Sequence, residues 1–537
     1  MNLAWDLSWC AIVGNPAEED WGDNPPSADR IEAMSVPDAE SNPNTEECPV
    51  TSDPVFGGRY VHLLGIGGSG MSGLAELIRH RGGHCSGTDL NPGEGIERLR
   101  ALGITVDIGE PAPEASLPEP CDLVIASAAI KPDHPLMVAA ELAGVETISY
   151  AEAVGRAQIG RTAVSISGTH GKSTTTSMLA HILVECGLDP SFIAGAHCPQ
   201  LGGGARVGTP RIKTPDGNDR PGIFVAEACE FNRSFHHHHP TIALINNLEE
   251  DHLDIYNSID EIVVAFHEFA QLLPKRGDGG RLLINHESAH RRGVTAGLEC
   301  DVQTFGFSPS ADYQVFLDAP AQRVGILQDG NWVAQWDTQV PGDHNALNAA
   351  AAAIIASWLG ADWDGIAAAL GSFKGVTRRL ERLGTRKSRD GGTVTVFDDY
   401  GHHPSECDAT LRAIHQAEKP QRLICVFQPH QHSRTRFLLD QFAHSFSRAD
   451  IVIVPPIYFV RDSEEEKRRI SSADLVDRLR ERGVTAMHLH PFEAIIEQLD
   501  VLCEDGDLVV VMGAGPVWQI GHEFLKRGTP AHQESNS

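Results

Sequence analysis

Two glycine-rich loops, each between a buried strand and a helix, constrain the fold of this chain most strongly. The first, Gly65-Ile66-Gly67-Gly68-Ser69-Gly70, follows the apolar segment Tyr60–Leu64. The second, Gly168-Thr169-His170-Gly171-Lys172-Ser173-Thr174, follows Thr162–Ser167. Glycines let the backbone approach a phosphate group, and the amides and dipole of a helix N-terminus favour its negative charge. The pattern predicts an α/β chain with two phosphate-binding sites.

Short apolar strands alternate with helical segments along most of the chain, which predicts parallel, doubly wound sheets. The alanine-rich stretch from Ala349 to Leu359 predicts a tightly packed core helix rather than a membrane span, which needs about 18 apolar residues. The predicted strands are Tyr60–Leu64, His84–Asp89, Leu123–Ala126, Thr162–Ser167, Ile223–Ala226, Ile242–Ile245, Thr393–Phe397, Leu423–Phe427, Ile451–Val454 and Leu508–Met512.

The composition excludes several classes of protein. The 537 residues include 73 acids and 43 bases, a formal charge of −30, which disfavours nucleic acid and anionic membranes as partners. The eleven cysteines form no CxxC pair and predict reduced thiols rather than disulfides or a zinc site. The apolar N-terminal residues carry no basic n-region, so we predict a cytoplasmic protein without a secretory signal.

Composition also suggests how the chain is divided. Residues 1–57 hold twelve acids and one base, and such a segment predicts a disordered acidic extension. Thr385–Gly392 is charged, ends in a glycine pair and predicts a hinge. We therefore expect an N-terminal domain at 58–157, a central domain at 158–384 and a C-terminal domain at 385–537.

The first loop has the GxGxxG spacing of dinucleotide-binding sites. Asp89 lies 19 residues after Gly70, at the end of the second strand, where a ribose contact is expected. Because GxGxxG recurs in many α/β folds, a tight packing turn remains the alternative.

The second loop partly matches a P-loop, in which a lysine binds the β- and γ-phosphates and a hydroxyl binds Mg²⁺. The full pattern requires a glycine where Ile166 stands, so the loop is shortened and begins at Gly168. A dehydrogenase needs only the first loop and a simple kinase only the second. Together they predict an enzyme that uses ATP to act on a nucleotide-carrying substrate.

Two candidate metal ligands follow strands of the same predicted sheet. Glu227 comes after Ile223–Ala226, and His252 comes shortly after Ile242–Ile245. Open α/β sheets bind ligands at the carboxyl ends of their strands. A carboxylate and the loop hydroxyl suit Mg²⁺, whereas an imidazole is less usual, so His252 is either a ligand or a structural cap. The run 236–239, four consecutive histidines, predicts a solvated loop rather than a metal site.

Ten segments, in order along the chain from His62 to Gly515, resemble the Mur ligase family. They are HLLGIGGSGMSGLAE, SGTDL, SGTHGKSTTTSMLA, VAEACEF, NNLEEDHLD, GDHNALNAAAA, FKGVTRRLERLG, FDDYGHHPSE, FQPHQHSRT and GDLVVVMGAG. The resemblance implies three α/β domains: a Rossmann-like UDP-binding domain, a P-loop ATP-binding central domain and a Rossmann-like C-terminal domain.

The resemblance also assigns roles to individual residues. UDP-sugar binding falls to Gly65, Gly67, Gly68, Ser69, Gly70, Asp89 and Ser127. ATP binding falls to Gly168, Thr169, His170, Gly171, Lys172, Ser173, Thr174, Asn345, Arg379 and Asp399. Magnesium binding falls to Ser173, Glu227 and His252. Catalytic roles fall to Lys172, Arg379, His402 and Arg434, of which His402 and Arg434 face the incoming amino acid.

The implied reaction is ATP-dependent ligation of L-alanine to UDP-N-acetylmuramate in peptidoglycan synthesis, through an acyl phosphate and with ATP and Mg²⁺ as cofactors. Two departures from the family pattern limit this transfer. Gln431 and His432 stand where many members have Arg-Tyr, and Cys229 and Phe231 replace Asp and Ser in the common EADES. Small side chains differ little in binding energy, so glycine and L-serine remain open as amino donors.

Three other functions remain as alternatives. A Mur-type recycling ligase would attach a ready-made tripeptide to the same nucleotide sugar, although HLLGIGGSGMSG favours the alanine-adding branch. An NAD-dependent dehydrogenase would explain only the first loop. A catalytically inactive binding module would not explain why Lys172, Ser173, Glu227 and His252 are retained. The oligomeric state is also open, with a homodimer as one alternative.

Overall fold

The structure, a computed structural model, describes residues 53–213, 219–252, 255–460 and 462–527, with only the backbone of Glu94. Of the predicted disordered extension at 1–57, residues 1–52 lie outside this part of the chain. For residues 53–57 the prediction is wrong. Phe56 is fully buried, and Asp53 accepts hydrogen bonds of 2.9 Å from the Val55 and Phe56 amides. Burial of this aromatic ring orders the end of the acidic segment, because it removes a large apolar surface from water.

The first sheet is entirely parallel, with strand order β3-β2-β1-β4-β5. The order reverses between β1 and β4, and open sheets form a ligand crevice at such a switch point. Its elements are β1 (Tyr60–Leu64), α1 (Ser69–His80), β2 (His84–Asp89), α2 (Glu94–Ala101), β3 (Thr105–Ile108), β4 (Leu123–Ala126), α3 (Pro135–Ala143), β5 (Glu146–Ser149) and α4 (Tyr150–Gln158).

The second sheet has ten strands, in the order β17-β16-β15-β14-β13-β12-β6-β11-β7-β8. Its centre is parallel, while β8, β16 and β17 are antiparallel to their neighbours. A separate two-stranded ribbon joins β9 and β10. The elements of this region are β6 (Thr162–Ser167), α5 (Lys172–Glu185), β7 (Ser191–Cys198), β8 (Gly203–Arg206), β9 (Arg211–Lys213), β10 (Asp219–Pro221), β11 (Ile223–Glu227), β12 (Ile242–Ile245), α6 (Ile259–Ala270), β13 (Arg281–Asn285), α7 (Arg291–Thr295), β14 (Asp301–Gly306), β15 (Tyr313–Asp318), β16 (Arg323–Gln328), β17 (Asn331–Asp337), α8 (Asp343–Trp358) and α9 (Trp363–Ser372).

The predicted alanine-rich core helix is confirmed as α8. Its residues from Ala349 to Ala356 are all buried in the same core cluster as α5 and the central strands. Alanine side chains allow helices to approach closely, so this helix fixes the position of α5, whose first residue is Lys172.

The third sheet has six strands in the order β18-β19-β23-β20-β21-β22, and only β18 is antiparallel. Its elements are β18 (Glu381–Lys387), β19 (Thr393–Asp399), α10 (Pro404–Glu418), β20 (Arg422–Phe427), α11 (His432–Phe437), α12 (Leu439–Ser445), β21 (Ile451–Val454), α13 (Glu464–Arg469), α14 (Ser472–Glu481), β22 (Thr485–His488), α15 (Phe492–Leu502), β23 (Asp507–Met512) and α16 (Trp518–Arg527).

The hinge predicted at Thr385–Gly392 is wrong. Residues 385–387 belong to β18, which pairs with β19 and continues the third sheet. The charged sequence of β18 reflects an edge strand with one solvated face, not a linker. The irregular connection lies earlier, between α9 and β18, where Arg378 and Leu380 have φ values of 60° and 52°.

The predicted α/β class with parallel sheets is confirmed. Among the described residues, no helix combines the length and apolar character required to span a bilayer. The cysteines of this part of the chain are all free thiols.

Gly155, inside α4, provides a test of the packing between the first sheet and the second region. A Cβ at this position would lie 1.9 Å from the backbone carbonyl oxygen of His237. We expect Gly155→Ala to lower the free energy of unfolding by about 1–2 kcal/mol, because the overpacking exceeds the gain in helix propensity. Urea unfolding would measure the loss. Gly371→Ala in α9, where the nearest atom lies at 3.7 Å, is the matched control and should be neutral or stabilising.

Candidate active site

The first glycine-rich loop connects β1 to α1 and is held by Asp89 and Ser127. The Gly67 amide donates a 2.8 Å hydrogen bond to the Asp89 carboxylate. A Cβ on Gly65, which has a φ of 77°, would lie 2.8 Å from the Ser127 hydroxyl oxygen. The structure therefore brings these predicted UDP-sugar residues together, and Asp89 contacts the loop itself.

The loop presents the N-terminus of α1. Gly68 is the N-cap and supplies no side-chain cap, so the first amides of the helix, from Ser69 and Gly70 onward, remain available to an anion. The Ser69 hydroxyl donates to the Gly195 carbonyl in β7 at 3.4 Å. The first loop thus lies directly against the second sheet.

The second glycine-rich loop connects β6 to α5 and holds Lys172 in an anionic environment. The Lys172 ammonium donates hydrogen bonds to the carbonyls of Gly168 and Thr169, at 2.6 and 3.1 Å, and to the Glu230 carboxylate at 2.8 Å. Burial lowers the pKa of Lys172, but Glu230 and its acidic neighbours outweigh burial, so this pKa lies above its usual range. The ammonium is charged at neutral pH. The motifs did not predict a role for Glu230, although it lies three residues after Glu227.

Two of the three predicted magnesium ligands lie around one small space. A Cβ on Gly195 would lie 3.0 Å from a Glu227 carboxylate oxygen and 3.3 Å from the Ser173 hydroxyl. Only glycine at position 195 leaves this space open, and its two oxygen ligands suit Mg²⁺. His252 is placed differently: its Nε2 lies 3.6 Å from Glu230. The imidazole therefore faces the Lys172–Glu230 pair.

A second group of possible ligands is already hydrogen-bonded within the protein. Side-chain atoms of His170, Glu249 and His403 lie within 4.8 Å of one another. His403 Nε2, however, lies 3.1 Å from the Glu250 carbonyl, and its Nδ1 accepts from the Ser405 amide at 3.3 Å. The cluster is explained by contacts between the second region and α10.

A cavity of about 420 Å³ opens between the second loop and the start of the third sheet. Six of the predicted ATP-binding residues line it: His170, Gly171, Thr174, Asn345, Arg379 and Asp399. Of the remaining lining residues, the sequence motifs assigned no contact to Asn246, Asn247, Glu249, Asn285, Ser405, Glu406, Asp408 and Arg412. Five of them (Asn246, Asn247, Glu249, Ser405 and Glu406) lie within the ten family-like segments, but which residues of a segment face the cavity depends on the fold.

Three residues from distant parts of the chain meet in this cavity. Asn345 donates to the Pro341 carbonyl at 2.8 Å. Asp399 accepts from the Leu380 and Gly401 amides, both at 2.7 Å, and burial raises its pKa to about 6. The Arg379 guanidinium lies 4.6 Å from the centre of the Tyr400 ring, which orients it along the cavity wall.

His170 connects the second region to α10. Its Nδ1 lies 3.2 Å from Glu406 and its Nε2 lies 3.6 Å from Glu249. Burial lowers the pKa of His170, but the two carboxylates outweigh burial and raise it to about 10. His170 is therefore an imidazolium at neutral pH, and its positive charge lies between two acidic groups from separate regions.

This arrangement predicts a pH dependence of stability. The pKa of His170 rises from an unfolded value of about 6.5 to about 10, so the folded protein binds more protons between these values. The stabilisation that protonated His170 gives the fold is complete below about pH 6 and is lost as the pH approaches 10. We expect His170→Gln to flatten the fall in thermal midpoint over this interval, relative to the wild type. Parallel pH profiles of the two proteins would contradict the assignment.

His402 lies beside α10 and is neutral. Its Nδ1 lies 3.2 Å from the Tyr400 carbonyl and 3.4 Å from Glu406, and burial lowers its pKa to about 3. The imidazole is therefore uncharged at neutral pH, and its burial makes it a weak base in this arrangement.

Arg434, the other residue predicted to face the amino acid, is paired with a carboxylate of the second region. Its Nε and a terminal nitrogen donate to the same Asp251 oxygen at 3.1 and 2.9 Å. Both side chains are buried, with 7% exposure each, so this is a buried ion pair rather than a surface one. Asp251 shows that this guanidinium accommodates a carboxylate.

Gln431 and His432, which differ from the Arg-Tyr pair predicted by the resemblance, form a distinct local structure. Gln431 is buried with a φ of 68°. The His432 amide and the Ser433 hydroxyl both donate to Asp462, the latter at 2.6 Å. Asp462 therefore anchors the start of α11, and thereby the helix that carries Arg434.

The histidine run at 236–239 does not form the predicted solvated loop. His238 is buried, and its Nδ1 lies 2.9 Å from the Ser165 hydroxyl and 3.2 Å from the Gln158 amide. His236 instead contacts the Ala265 carbonyl at 2.9 Å. Neighbouring imidazoles thus point to different elements, which explains why the run forms no shared site.

Family models cover all three regions of the described fold. They are "Mur ligase family, catalytic domain" at residues 60–160, "Mur ligase middle domain" at 166–356 and "Mur ligase, glutamate ligase domain" at 378–515. Among solved structures, UDP-N-acetylmuramate-alanine ligase MurC from Thermotoga maritima shares the fold, with a TM-score of 0.69 at 24% identity over 87% of this chain and 98% of that one. A murein peptide ligase from Psychrobacter arcticus gives a TM-score of 0.64 at 25% identity over 88% of this chain and all of that one.

Curated relatives match at higher sequence identity. A UDP-N-acetylmuramate–L-alanine ligase of Lachnospira eligens is 36% identical over 474 residues, which span 87% of this chain and 98% of that protein. The enzyme of the same name from Clostridium novyi is 37% identical over 87% of this chain and 97% of its own length. These matches confirm the resemblance inferred from the ten sequence segments, and the chain belongs to the Mur ligase family.

Proposed function

We propose that the protein joins L-alanine to UDP-N-acetylmuramate and converts ATP to ADP and phosphate. The observation that carries the proposal is the contact between Ser69 and Gly195, since Gly195 also lies against Glu227 and Ser173. This contact sets the two phosphate-binding loops side by side. A nucleotide-linked substrate on the first loop could then reach a phosphoryl group on the second. The names of the curated relatives support the same reaction.

The reaction begins with activation of a carboxylate, which is a poor electrophile. The lactyl carboxylate attacks the γ-phosphorus of ATP, forms an acyl phosphate and releases ADP. We assign Lys172 and Arg379 to neutralise charge on the transferred phosphoryl group, a step that depends mainly on positioning and electrostatics. The Lys172 ammonium must exchange its contact with Glu230 for the phosphate oxygens.

The amino group of alanine then attacks the acyl carbon, and phosphate leaves. This amine must be neutral to attack, so the ammonium form of the amino acid has to lose a proton to a base. We assign Arg434 to bind the α-carboxylate and His402 to accept the proton of the amine, a role that requires the basicity of its imidazole to rise when substrate binds. When the amino acid binds, its carboxylate would replace Asp251 as the partner of the Arg434 guanidinium.

ATP and Mg²⁺ are the proposed cofactors, and Ser173, Glu227 and His252 are the residues proposed to hold the metal. When bound, Mg²⁺ would neutralise phosphate charge. The open space at Gly195 supports Ser173 and Glu227 as its ligands. Asn345 and Asp399 line the cavity in which we place the adenosine portion of ATP.

The domain ranges and the cellular location also belong to the proposal. We retain an N-terminal UDP-sugar domain ending near residue 157 and a central ATP domain from 158. We place the start of the C-terminal domain at Glu381, since β18 joins the third sheet. We propose a cytoplasmic enzyme whose partners are its small-molecule substrates.

Phosphate release by the purified protein tests the reaction. MgATP and UDP-N-acetylmuramate are supplied with L-alanine, glycine, L-serine or a tripeptide in parallel. We expect release that depends on both the nucleotide sugar and L-alanine. Release with the tripeptide alone would assign the protein to the recycling branch, to which the Psychrobacter arcticus murein peptide ligase belongs by name. No release with any donor would overturn the proposal.

A further inference from the structure

Tyr150 lies at the edge of the first sheet that carries the phosphate-binding loop. It is the first residue of α4 and follows β5, whose carboxyl end lies at the same edge as that of β1. A Cβ on Gly70 would lie 2.5 Å from the Tyr150 hydroxyl oxygen and 2.8 Å from the ring carbon that bears it. The phenol tip therefore packs against the first turn of α1.

The Tyr150 hydroxyl is a hydrogen-bond donor without a hydrogen-bond partner among residues 53–213, 219–252, 255–460 and 462–527. Its ring is partly buried against the apolar core of the first sheet. Burial raises the pKa of Tyr150, and the negative charge of Glu227 raises it further. The phenol thus keeps its proton at neutral pH and can donate it in a hydrogen bond.

The surroundings of this hydroxyl combine an anion-binding helix N-terminus with a proposed Mg²⁺ ligand. The amides at the N-terminus of α1 are uncapped. Glu227, which accepts a hydrogen bond from the Gly195 amide, is close enough to act on the phenol electrostatically. A ligand with a phosphate on the first loop and a carboxylate directed toward Lys172 would run alongside Tyr150.

We propose that the Tyr150 hydroxyl donates a hydrogen bond to an anionic oxygen of the nucleotide sugar and is a substrate-binding residue. The inference rests on the proposed function for the identity of that ligand. The oxygen belongs either to the pyrophosphate or to the carboxylate attached to the sugar. Both are charged acceptors, and a hydrogen bond to a charged group is stronger than one between neutral groups.

Tyr150→Phe tests the inference because it removes the hydroxyl and keeps the ring. Calorimetric titration of the full chain with UDP, UDP-N-acetylglucosamine and UDP-N-acetylmuramate separates the two sources. We expect about a tenfold loss of affinity where the contact exists. An equal loss for all three ligands places the contact on the pyrophosphate. A loss confined to UDP-N-acetylmuramate places it on the lactyl carboxylate, which the other two ligands lack.

Two controls distinguish a binding role from a structural one. Thermal unfolding of Tyr150→Phe should match the wild type, and Tyr60→Phe, at the exposed start of β1, should leave all three affinities unchanged. A Tyr150→Phe protein that binds every ligand as tightly as the wild type would overturn the inference and leave the proposed function intact. If the wild type binds none of the three ligands, both fail.

Discussion

Lys172→Met should lower the rate of phosphate release by at least about a thousandfold, the loss expected when a charge that stabilises phosphoryl transfer is removed. Lys172 begins α5 and is held between two loop carbonyls and Glu230, so its ammonium is already oriented toward the second loop. Methionine keeps the length of the side chain without the charge. Steady-state assays at saturating substrates would measure the effect on kcat.

Lys275→Met is the matched control, because Lys275 pairs with Glu299 on the surface and is 68% exposed. It should leave the rate unchanged. Titration of UDP into Lys172→Met should show wild-type affinity, since the first loop is unaltered. A Lys172→Met protein that retains more than a tenth of the wild-type rate would show that another group neutralises the transferred phosphoryl group.

The second large effect is expected at the buried pair between Asp251 and Arg434. Asp251→Leu would leave a guanidinium buried without its carboxylate, a change that costs about 3–5 kcal/mol. We expect the urea midpoint to fall by about 1 M, because this loss is divided by a slope of unfolding free energy against urea that, in a chain of this length, lies above the ~1–3 kcal/mol/M of small proteins. The unfolding transition of the full chain would be followed by circular dichroism.

The double variant Asp251→Leu, Arg434→Met supplies the decisive comparison. Because both charges are removed, its midpoint should recover much of the loss. Asp337→Leu is the exposed control: Arg323 and Asp337 pair at 2.8 Å, close to the 2.9 Å of the buried pair, but are 57% and 69% exposed. That substitution should move the midpoint little. If Asp251→Leu and Asp337→Leu give equal shifts, the buried pair does not stabilise the fold as described.

The strands next to the motifs could be predicted from the sequence almost to the residue. Tyr60–Leu64 and Thr162–Ser167 are short runs without acidic or basic residues other than one histidine, each is followed directly by glycine, and this pattern is local. β18 could not be predicted in the same way. It reads Glu-Arg-Leu-Gly-Thr-Arg-Lys, and it becomes a strand only because β19 offers it an edge to pair with. Tertiary contact decides such segments, not propensity.

The same distinction between local pattern and tertiary contact applies to the residues of the candidate site. Residues in contiguous motifs, such as Lys172 and Asp89, could be singled out because their spacing carries the chemistry. Glu406 and Asp251 could not, since each acquires its role from a partner far away in the sequence. Arg434 and Asp251 are 183 residues apart in the sequence, and their contact follows from the position of the third sheet.

The cavity beside His170 is lined by residues from both the second region and the third sheet. Asn345 in α8 lies before the connection at 373–380, and Asp399 at the end of β19 lies after it. A nucleotide bound there would contact both the second region and the third sheet and would hold them together. By mass action, ligand at a hundred times its dissociation constant would add about 2.7 kcal/mol to their association. The resistance of the third sheet to proteolysis should therefore rise with the logarithm of nucleotide concentration above the dissociation constant.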